Sequence, residues 1–130
     1  MHGAAVMNPK AEALKLRTKK LALDVLDFVD TLPPNGPPVR IGNQLTDSAT
    51  SVAANYRAAC RARSNAEFAA KIGLVLEEAD ESRLWLELTE ARTLGSARLR
   101  AALLQEADEL TAIFAASSIT SRASLGTNHR

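Results

Sequence analysis

The stretch "SVAANYRAACRARSNAEF", residues 51–68, predicts the place where two helices of this chain meet. Alanine, the strongest helix former, recurs through its first half. The segment from Ser64 to Glu67, followed by the apolar Phe68, has the capping-box pattern of a helix start. In that pattern the Ser64 hydroxyl accepts from the Glu67 amide, while the Glu67 carboxylate reaches back to the Ser64 amide. We therefore expect one helix to end near Ala62 and the next to begin at Ser64.

Apolar residues recur at helical spacing on both sides of this junction. The pattern predicts helices over residues 9–32, 39–62, 64–93 and 97–117. Pro33 ends the first helix, because a residue that precedes proline is pushed out of the helical region. Gly95 is expected to end the third helix, and Ser96 to cap the fourth. Four amphipathic helices with short connections predict an all-α fold, an antiparallel up-down four-helix bundle.

The bundle is predicted to occupy residues 9–117 as a single domain. Residues 1–8 and the polar residues 118–130 are expected to be flexible termini. The predicted core residues of the four helices are Leu14, Leu21, Val25, Phe28, Val29, Leu32, Leu45, Ala49, Val52, Tyr56, Cys60, Phe68, Ile72, Val75, Leu76, Ala79, Leu86, Leu99, Leu103, Leu110, Ile113 and Phe114.

Composition narrows the classes of function. The chain has 130 residues, of which 46% are hydrophobic but only 4% aromatic, and this balance favours close-packed helices over a sheet. A net charge of +1 gives no overall field to attract nucleic acid or an anionic membrane. The start of the chain lacks a secretory signal pattern, and no apolar run is long enough to span a bilayer. With the single cysteine, Cys60, these features predict a cytoplasmic protein with no membrane partner.

Two helices carry more apolar side chains than one core needs. On a helical wheel the excess residues fall opposite the core stripe, and they are Leu16, Leu23 and Leu26 in the first helix and Leu74, Trp85 and Leu88 in the third. Scattered surface leucines are common in proteins. An apolar patch at regular helical spacing is more typical of an interface. We therefore predict a self-association surface formed by Leu16, Leu23, Leu74, Trp85 and Leu88, with a groove for another protein as the alternative.

Catalytic and metal-binding patterns are weak. Carboxylates are dense over residues 77–90, and a four-helix bundle can hold two metal ions through inward Glu and Glu-x-x-His ligands. The two histidines, His2 and His129, lie in the predicted termini, so those ligand sets are incomplete and Cys60 has no base to activate it. We expect no catalytic residues, no cofactor and no metal site.

Basic residues form two clusters that could contact phosphates. One lies in the first helix and the other at the end of the second; together they comprise Lys15, Lys19, Lys20, Arg57, Arg61 and Arg63. Cations also favour a helix C-terminus and solvate an exposed helix face. Neither cluster contains aromatic residues on which bases would stack. Contact with RNA or DNA is therefore the alternative to self-association.

The sequence resembles a known family over roughly residues 10–116. The segment "SVAANYRAACRARSNAEFAAKIGLVLEEADESRLWLELTEA", residues 51–91, is similar to the central helix pair of the bacterial four-helix-bundle proteins that include those encoded by intervening sequences in 23S ribosomal RNA genes. The matching positions are Ser51-Val52, Asn55-Tyr56, Arg61, Ser64, Glu67-Phe68, Glu77, Glu78, Glu81-Ser82 and Trp85-Leu86-Glu87-Leu88, with Gln44-Leu45 in looser agreement.

The resemblance implies a small cytosolic bundle, often assembled as a homopentamer, with no established catalysis. The chain is also similar to the accessory variability proteins of diversity-generating retroelements, whose basic pentamers bind nucleic acid and a reverse transcriptase. Family members often place arginines just after the Gln-Leu pair, where this chain has Thr46-Asp47-Ser48. The function predicted is therefore a non-enzymatic homo-oligomeric scaffold or adaptor, with a nucleic-acid-binding accessory protein as the alternative.

Overall fold

The first helix, α1, spans Pro9–Val29 and begins where the Asn8 side chain caps it. The Asn8 Oδ1 atom accepts from the backbone amides of Lys10 at 3.0 Å and Ala11 at 3.3 Å. These bonds satisfy two donors that an uncapped helix start would leave without partners. The computed structural model describes residues 8–128, so the prediction for residues 1–7 lies outside the described residues. Asn8 itself is the N-cap residue of α1.

Three further helices follow: α2 over Pro37–Cys60, α3 over Asn65–Ala91 and α4 over Ala97–Asn128. Each helix contacts the next along the chain, and α1 contacts α4 over a smaller area, so α1 lies diagonally across the bundle from α3. The described residues contain no strand. The predicted antiparallel up-down four-helix bundle is confirmed.

The start of α2 and the end of α3 differ from the predictions, and α1 ends at Val29, before the predicted Leu32. The α2 helix starts at Pro37, two residues before Val39, because proline is tolerated at a first helical position. In the turn after α3, Thr93 at φ 55° and Gly95 at φ 73° both have left-handed backbones, and Thr93, not the expected Gly95, is the residue that ends the helix. The amides of Thr93 and Leu94 donate to the carbonyls of Glu90 and Thr89, which completes a Schellman motif.

The capping box at the start of α3 is half confirmed. The Glu67 amide donates to the Ser64 hydroxyl at 3.0 Å, as predicted. The Glu67 carboxylate, however, accepts from the amide of Arg63 at 3.2 Å and not from that of Ser64. The Glu67 carboxylate therefore bonds the backbone amide one residue before the predicted one.

The fourth helix is longer than predicted. It continues from Ala97 to Asn128, so the prediction that it ends at Ser117 is wrong. Ser118, in the segment that was expected to be a polar tail, is buried. The physical reason is that the additional turns run alongside the starts of α1 and α3, where tertiary contact outweighs the modest helix propensity of serine and threonine.

The core follows the predicted stripes closely. Its fully buried large side chains include Phe28, Leu45, Ile72, Leu86, Leu110 and Phe114. Of the predicted core residues, Val29, Leu32, Cys60, Phe68, Leu76, Leu99 and Ile113 are partly buried and pack against it. A buried polar contact also joins two helices, since the Ser82 Oγ of α3 lies 2.8 Å from the Ser48 Oγ of α2.

Candidate functional site

The exposed leucines lie on the outer faces of α1 and α3. In α1 the exposed fractions are 69% for Leu16 and 53% for Leu23, and Leu26 is exposed on the same helix. In α3 Leu74 is 41% exposed and Leu88 is 38% exposed, and Leu84 adds a further exposed leucine. Because α1 and α3 occupy diagonal corners, these two apolar faces point away from each other.

Trp85 departs from the sequence prediction. It is half-buried and packs against the core, so the expectation that it lies on the outer face of α3 is wrong. The indole is large enough to reach the core from the flank of the helix. Its Nε1 atom is buried and has no hydrogen-bond partner within residues 8–128. The outer apolar face of α3 therefore consists of leucines.

The six basic candidates do not share one surface. Two of the α1 lysines pair with acids of their own helix: Lys15 lies 2.8 Å from Glu12 and Lys20 lies 2.6 Å from Asp24. Lys15 and Lys20 are also separated by roughly 140° around the helix, at about 100° per residue.

The α2 arginines form the more compact group. Arg57, Arg61 and Arg63 lie at or just beyond the end of α2, are exposed, and form no ion pair within the described part of the chain. Lys19, on α1, is likewise exposed and unpaired there. The structure thus brings together the three arginines but not the lysines.

Cys60 is half-buried and lies beside the Tyr56 hydroxyl near the end of α2. Burial raises the pKa of Tyr56, and the neighbouring Cys60 raises it further. The Tyr56 ring also packs against Phe114 of α4, with ring centroids 5.4 Å apart. Tyr56 and Cys60 therefore contribute to packing at this end of the core. The two histidines of the sequence, His2 and His129, lie outside the described residues.

The acidic side of α3 gathers several carboxylates near Glu78. Partial burial raises the pKa of Glu78, and the charges of Glu81, Glu77 and Asp47 raise it further. Within residues 8–128, no three His, Cys, Asp or Glu side chains are grouped as metal ligands would be. The cluster is thus a site of charge repulsion between α2 and α3.

A cleft opens between the first half of α1 and the second half of α4, with the start of α3 as its floor. Its volume is about 730 Å³. Leu14, Phe68 and Ile113 form its apolar wall, and Lys10 and Arg17 line it from α1. A smaller cavity of about 470 Å³ adjoins it at the end of α2 and includes Arg63. We call the larger cavity the α1–α4 cleft.

The α1–α4 cleft ends at an ion-pair cluster. The Arg17 guanidinium donates to both carboxylate oxygens of Glu106, at 3.0 and 2.6 Å, and to Glu109 at 3.0 Å. These bonds hold α1 against α4 at this level. Toward the start of α1 small residues line the cleft from both helices, Ala13 from α1 and Ala116 and Ser117 from α4.

Sequence reasoning missed the α1–α4 cleft because it assigned residues 118–130 to a tail. Thr120, Ser121 and Ser124 of that segment line the cleft from α4. The usable signal is the spacing of Ser117, Thr120, Ser121 and Ser124, which recur every three or four residues as one face of a helix would.

The sequence model of a protein family, the 23S rRNA-intervening sequence proteins, matches residues 13–116. The chain belongs to this family. The match confirms the resemblance carried by residues 51–91 and covers most of the four helices. Lys10 and the α4 residues from Ser117 onward that line the cleft lie outside the matched segment. No curated protein matches the chain.

A solved structure supports the fold assignment for this family member. It is a crystal structure from Bacteroides thetaiotaomicron, described as a protein with unknown function from the S23 ribosomal protein family. The two chains are 23% identical, the alignment covers 84% of this chain and 97% of that chain, and the TM-score is 0.73. This likeness shows a shared fold. Among the described residues, no helix is both long and apolar enough to cross a membrane.

Proposed function

We propose that the protein is a non-enzymatic scaffold or adaptor that assembles with copies of itself, the outer face of α1 in one copy binding the outer face of α3 in the next. The observation that carries this proposal is the exposure of leucines on those two helices, Leu16 and Leu23 on α1 and Leu74 and Leu88 on α3. Burying such side chains in an interface removes apolar surface from water, at about 25 cal/mol per Å².

The diagonal placement of α1 and α3 favours a ring. Two different surfaces on opposite sides of a subunit make a heterologous contact, and such contacts generate closed rings when the rotation between copies closes. Five copies is the number that the family resemblance implies. The mass in solution, measured by light scattering after size exclusion or by native mass spectrometry, gives that number directly.

Charge-introducing variants test the two faces. Leu16→Glu and Leu74→Glu should each leave the chain monomeric, because each places a charge inside every α1–α3 contact of the proposed ring. Helical circular dichroism should stay unchanged, since both leucines are exposed. Ile119→Glu is the matched control, because Ile119 of α4 is 71% exposed but lies on neither face. A wild-type chain that is monomeric at micromolar concentration would overturn the proposal.

Mixing the variants tests the heterologous arrangement. A Leu16→Glu copy keeps its α3 face and a Leu74→Glu copy keeps its α1 face, so an equimolar mixture should form heterodimers and nothing larger. A symmetric contact of α1 with α1 would instead leave the Leu16→Glu copies monomeric in the mixture, and a contact of α3 with α3 would do the same for the Leu74→Glu copies. Either pattern would contradict the heterologous arrangement.

A second candidate function, contact with RNA or DNA, rests on Arg57, Arg61 and Arg63. Their exposed guanidinium groups, without carboxylate partners in the described residues, are available to phosphates. If they bind, the affinity for a 23S rRNA fragment should fall steeply with salt, with a slope of about −0.7 to −0.9 per phosphate contact.

The double variant Arg57→Gln/Arg61→Gln should reduce that salt slope. Arg92→Gln/Arg98→Gln is the matched control, because these exposed arginines lie at the opposite end of the bundle, in the turn after α3 and the start of α4. Fluorescence anisotropy over a series of salt concentrations measures the affinity and the salt slope of the wild type and of both double variants. Equal weakening by the two double variants would indicate nonspecific attraction, and no binding of the wild type would exclude this function.

A further inference from the structure

We propose that the α1–α4 cleft binds a single-chain amphipathic carboxylate, of the fatty-acid class, with its aliphatic chain against Leu14, Phe68 and Ile113 and its carboxylate at Lys10. This site is separate from the leucine faces and does not depend on the proposed assembly. The inference rests on the size of the cleft, the apolar character of its wall, the sign of the charges that line it and the polar edge on α4.

The size and wall of the cleft suit a small apolar ligand. Its volume of about 730 Å³ falls within the usual range for ligand pockets, about 300–1,000 Å³. Phe68 and Ile113 are only partly buried although they pack against the core, and they line the cleft together with Leu14. An aliphatic chain placed here would complete the burial of side chains that the four helices leave half-covered.

The charges at the cleft select an anion. Among residues 8–128, no Asp or Glu side chain lines either the cleft or the adjoining cavity, whereas Lys10, Arg17 and Arg63 do. Arg17 is already bonded to Glu106 and Glu109. Lys10 forms no ion pair within the described part of the chain, and it lines both cavities. A carboxylate is therefore favoured at Lys10, and an ammonium group is disfavoured.

The hydroxyl groups on α4 give the cleft a polar edge opposite its apolar wall. Ser117, Thr120, Ser121 and Ser124 follow one another along the helix on this side. A site with one apolar wall, one polar edge and a cation near its end matches an amphipathic molecule better than a purely apolar one. The ion-pair cluster at Arg17 closes the cleft toward the centre of the bundle, which limits the length of chain that it accepts.

Isothermal titration calorimetry with dodecanoate below its micellar concentration tests the site. We expect saturable binding of one dodecanoate per chain. Dodecyltrimethylammonium, which has the same chain and the opposite charge, should bind at least about tenfold more weakly. Equal binding of both surfactants would overturn the proposal, because it would indicate apolar adsorption alone. The absence of saturable dodecanoate binding would overturn it as well.

Cleft-filling variants locate the binding. Ala116→Trp should reduce the affinity for dodecanoate by more than about tenfold, because an indole would occupy the cleft. Ala13→Trp, from the opposite wall, is the second variant should the first one fold poorly. Ala13 and Ala116 are both exposed, so neither substitution disturbs the core. Unchanged affinity in a folded variant would place the ligand elsewhere and overturn the proposal.

A matched pair of variants, Lys10→Gln and Lys19→Gln, tests the role of Lys10. Lys10→Gln should weaken dodecanoate binding by about two- to fivefold, as expected for one partly solvated ion pair, and should leave the affinity for dodecanol unchanged. Lys19→Gln, on the same helix but away from the cleft, should bind dodecanoate as the wild type does. Equal weakening by the two substitutions would contradict the assignment of the carboxylate to Lys10. The Leu16→Glu variant should retain binding whether or not the chain assembles.

Discussion

Thr111 shows how a single buried hydroxyl can lower stability. Its side chain is buried in α4, and its Oγ1 atom has no hydrogen-bond partner within residues 8–128. A buried polar group without a partner loses its bonds to water and gains nothing in return. Thr111→Val keeps the shape and removes the hydroxyl. We expect it to raise the free energy of unfolding by about 1 kcal/mol, measured by urea denaturation.

Two other buried threonines provide the controls for Thr111. The Thr18 hydroxyl donates to the carbonyl of Leu14 at 2.9 Å, and the Thr89 hydroxyl donates to that of Leu86 at 2.7 Å. Thr18→Val and Thr89→Val remove these bonds and should lower the free energy of unfolding by about 0.5–1.5 kcal/mol each. If Thr111→Val destabilised the protein as these two do, its hydroxyl would have to be bonded in solution.

At the residue scale, the sequence predicted which residues cap a helix or face the core better than it predicted side-chain placement and backbone conformation at individual positions. The Ser64 cap and the buried stripe through Ile72 and Leu86 follow from local pattern alone, because helical geometry fixes which residues share a face. Trp85 was misplaced because a helical wheel records only the direction of a side chain and not its length. Thr93 in a left-handed conformation could not be predicted, since glycine is the residue that this conformation favours.

At the scale of helices, Glu78 near the contact between α2 and α3 makes the free energy of unfolding depend on pH. Burial and the charges of Glu81, Glu77 and Asp47 raise the pKa of Glu78 above its ordinary value of 4.5. The folded state therefore holds the Glu78 proton more tightly than the unfolded state does. As the pH rises from the ordinary value through the raised folded value, the folded state loses stability relative to the unfolded state.

Glu78→Gln removes the pH-dependent contribution of Glu78 to the free energy of unfolding. We expect the variant to have a higher urea midpoint than the wild type at pH 7, and the difference to disappear below about pH 4, where the wild-type carboxyl is protonated in both states. Glu87→Gln, at an exposed position of α3 outside this cluster, is the control. A Glu78→Gln variant that is less stable than the wild type at pH 7 would show that the carboxylate makes a favourable contact there.

The helices differ in how far the local sequence determines where each one starts and ends. α1 and α3 are delimited by proline, caps and apolar period, and their predicted starts agree with the structure. The last turns of α4 carry serine and threonine, which favour caps and turns over helix interiors. Their helical state follows from packing against other helices, and such contacts are not visible in a local window. The α1–α4 cleft was missed for the same reason.

At the scale of the whole molecule, the order of the helices could be predicted, but the consequence of that order for the leucines could not. Short connections imply that neighbours in sequence are neighbours in space. The wheel analysis identified apolar excess on α1 and α3 separately. Only the bundle shows that these two faces lie at diagonal corners, so that one copy can offer both faces to two different neighbours.

Assembly through these faces predicts a concentration-dependent thermal midpoint. Association stabilises the folded chain by mass action, so raising the protein concentration from about 1 to about 100 μM should raise the wild-type midpoint by roughly 5 to 10 °C. The midpoint of Leu16→Glu should stay constant over the same range, because this chain cannot complete the contact.

Ile119→Glu is the whole-molecule control, since it changes an equally exposed aliphatic residue on α4 and should follow the wild type. Scanning calorimetry at several concentrations, with reversibility checked by a second scan, measures all three midpoints. A wild-type midpoint independent of concentration would contradict assembly in this range. A dependence that persists in Leu16→Glu would place the contact on another surface of the bundle, because a charge at Leu16 cannot be buried between α1 and α3 without a partner.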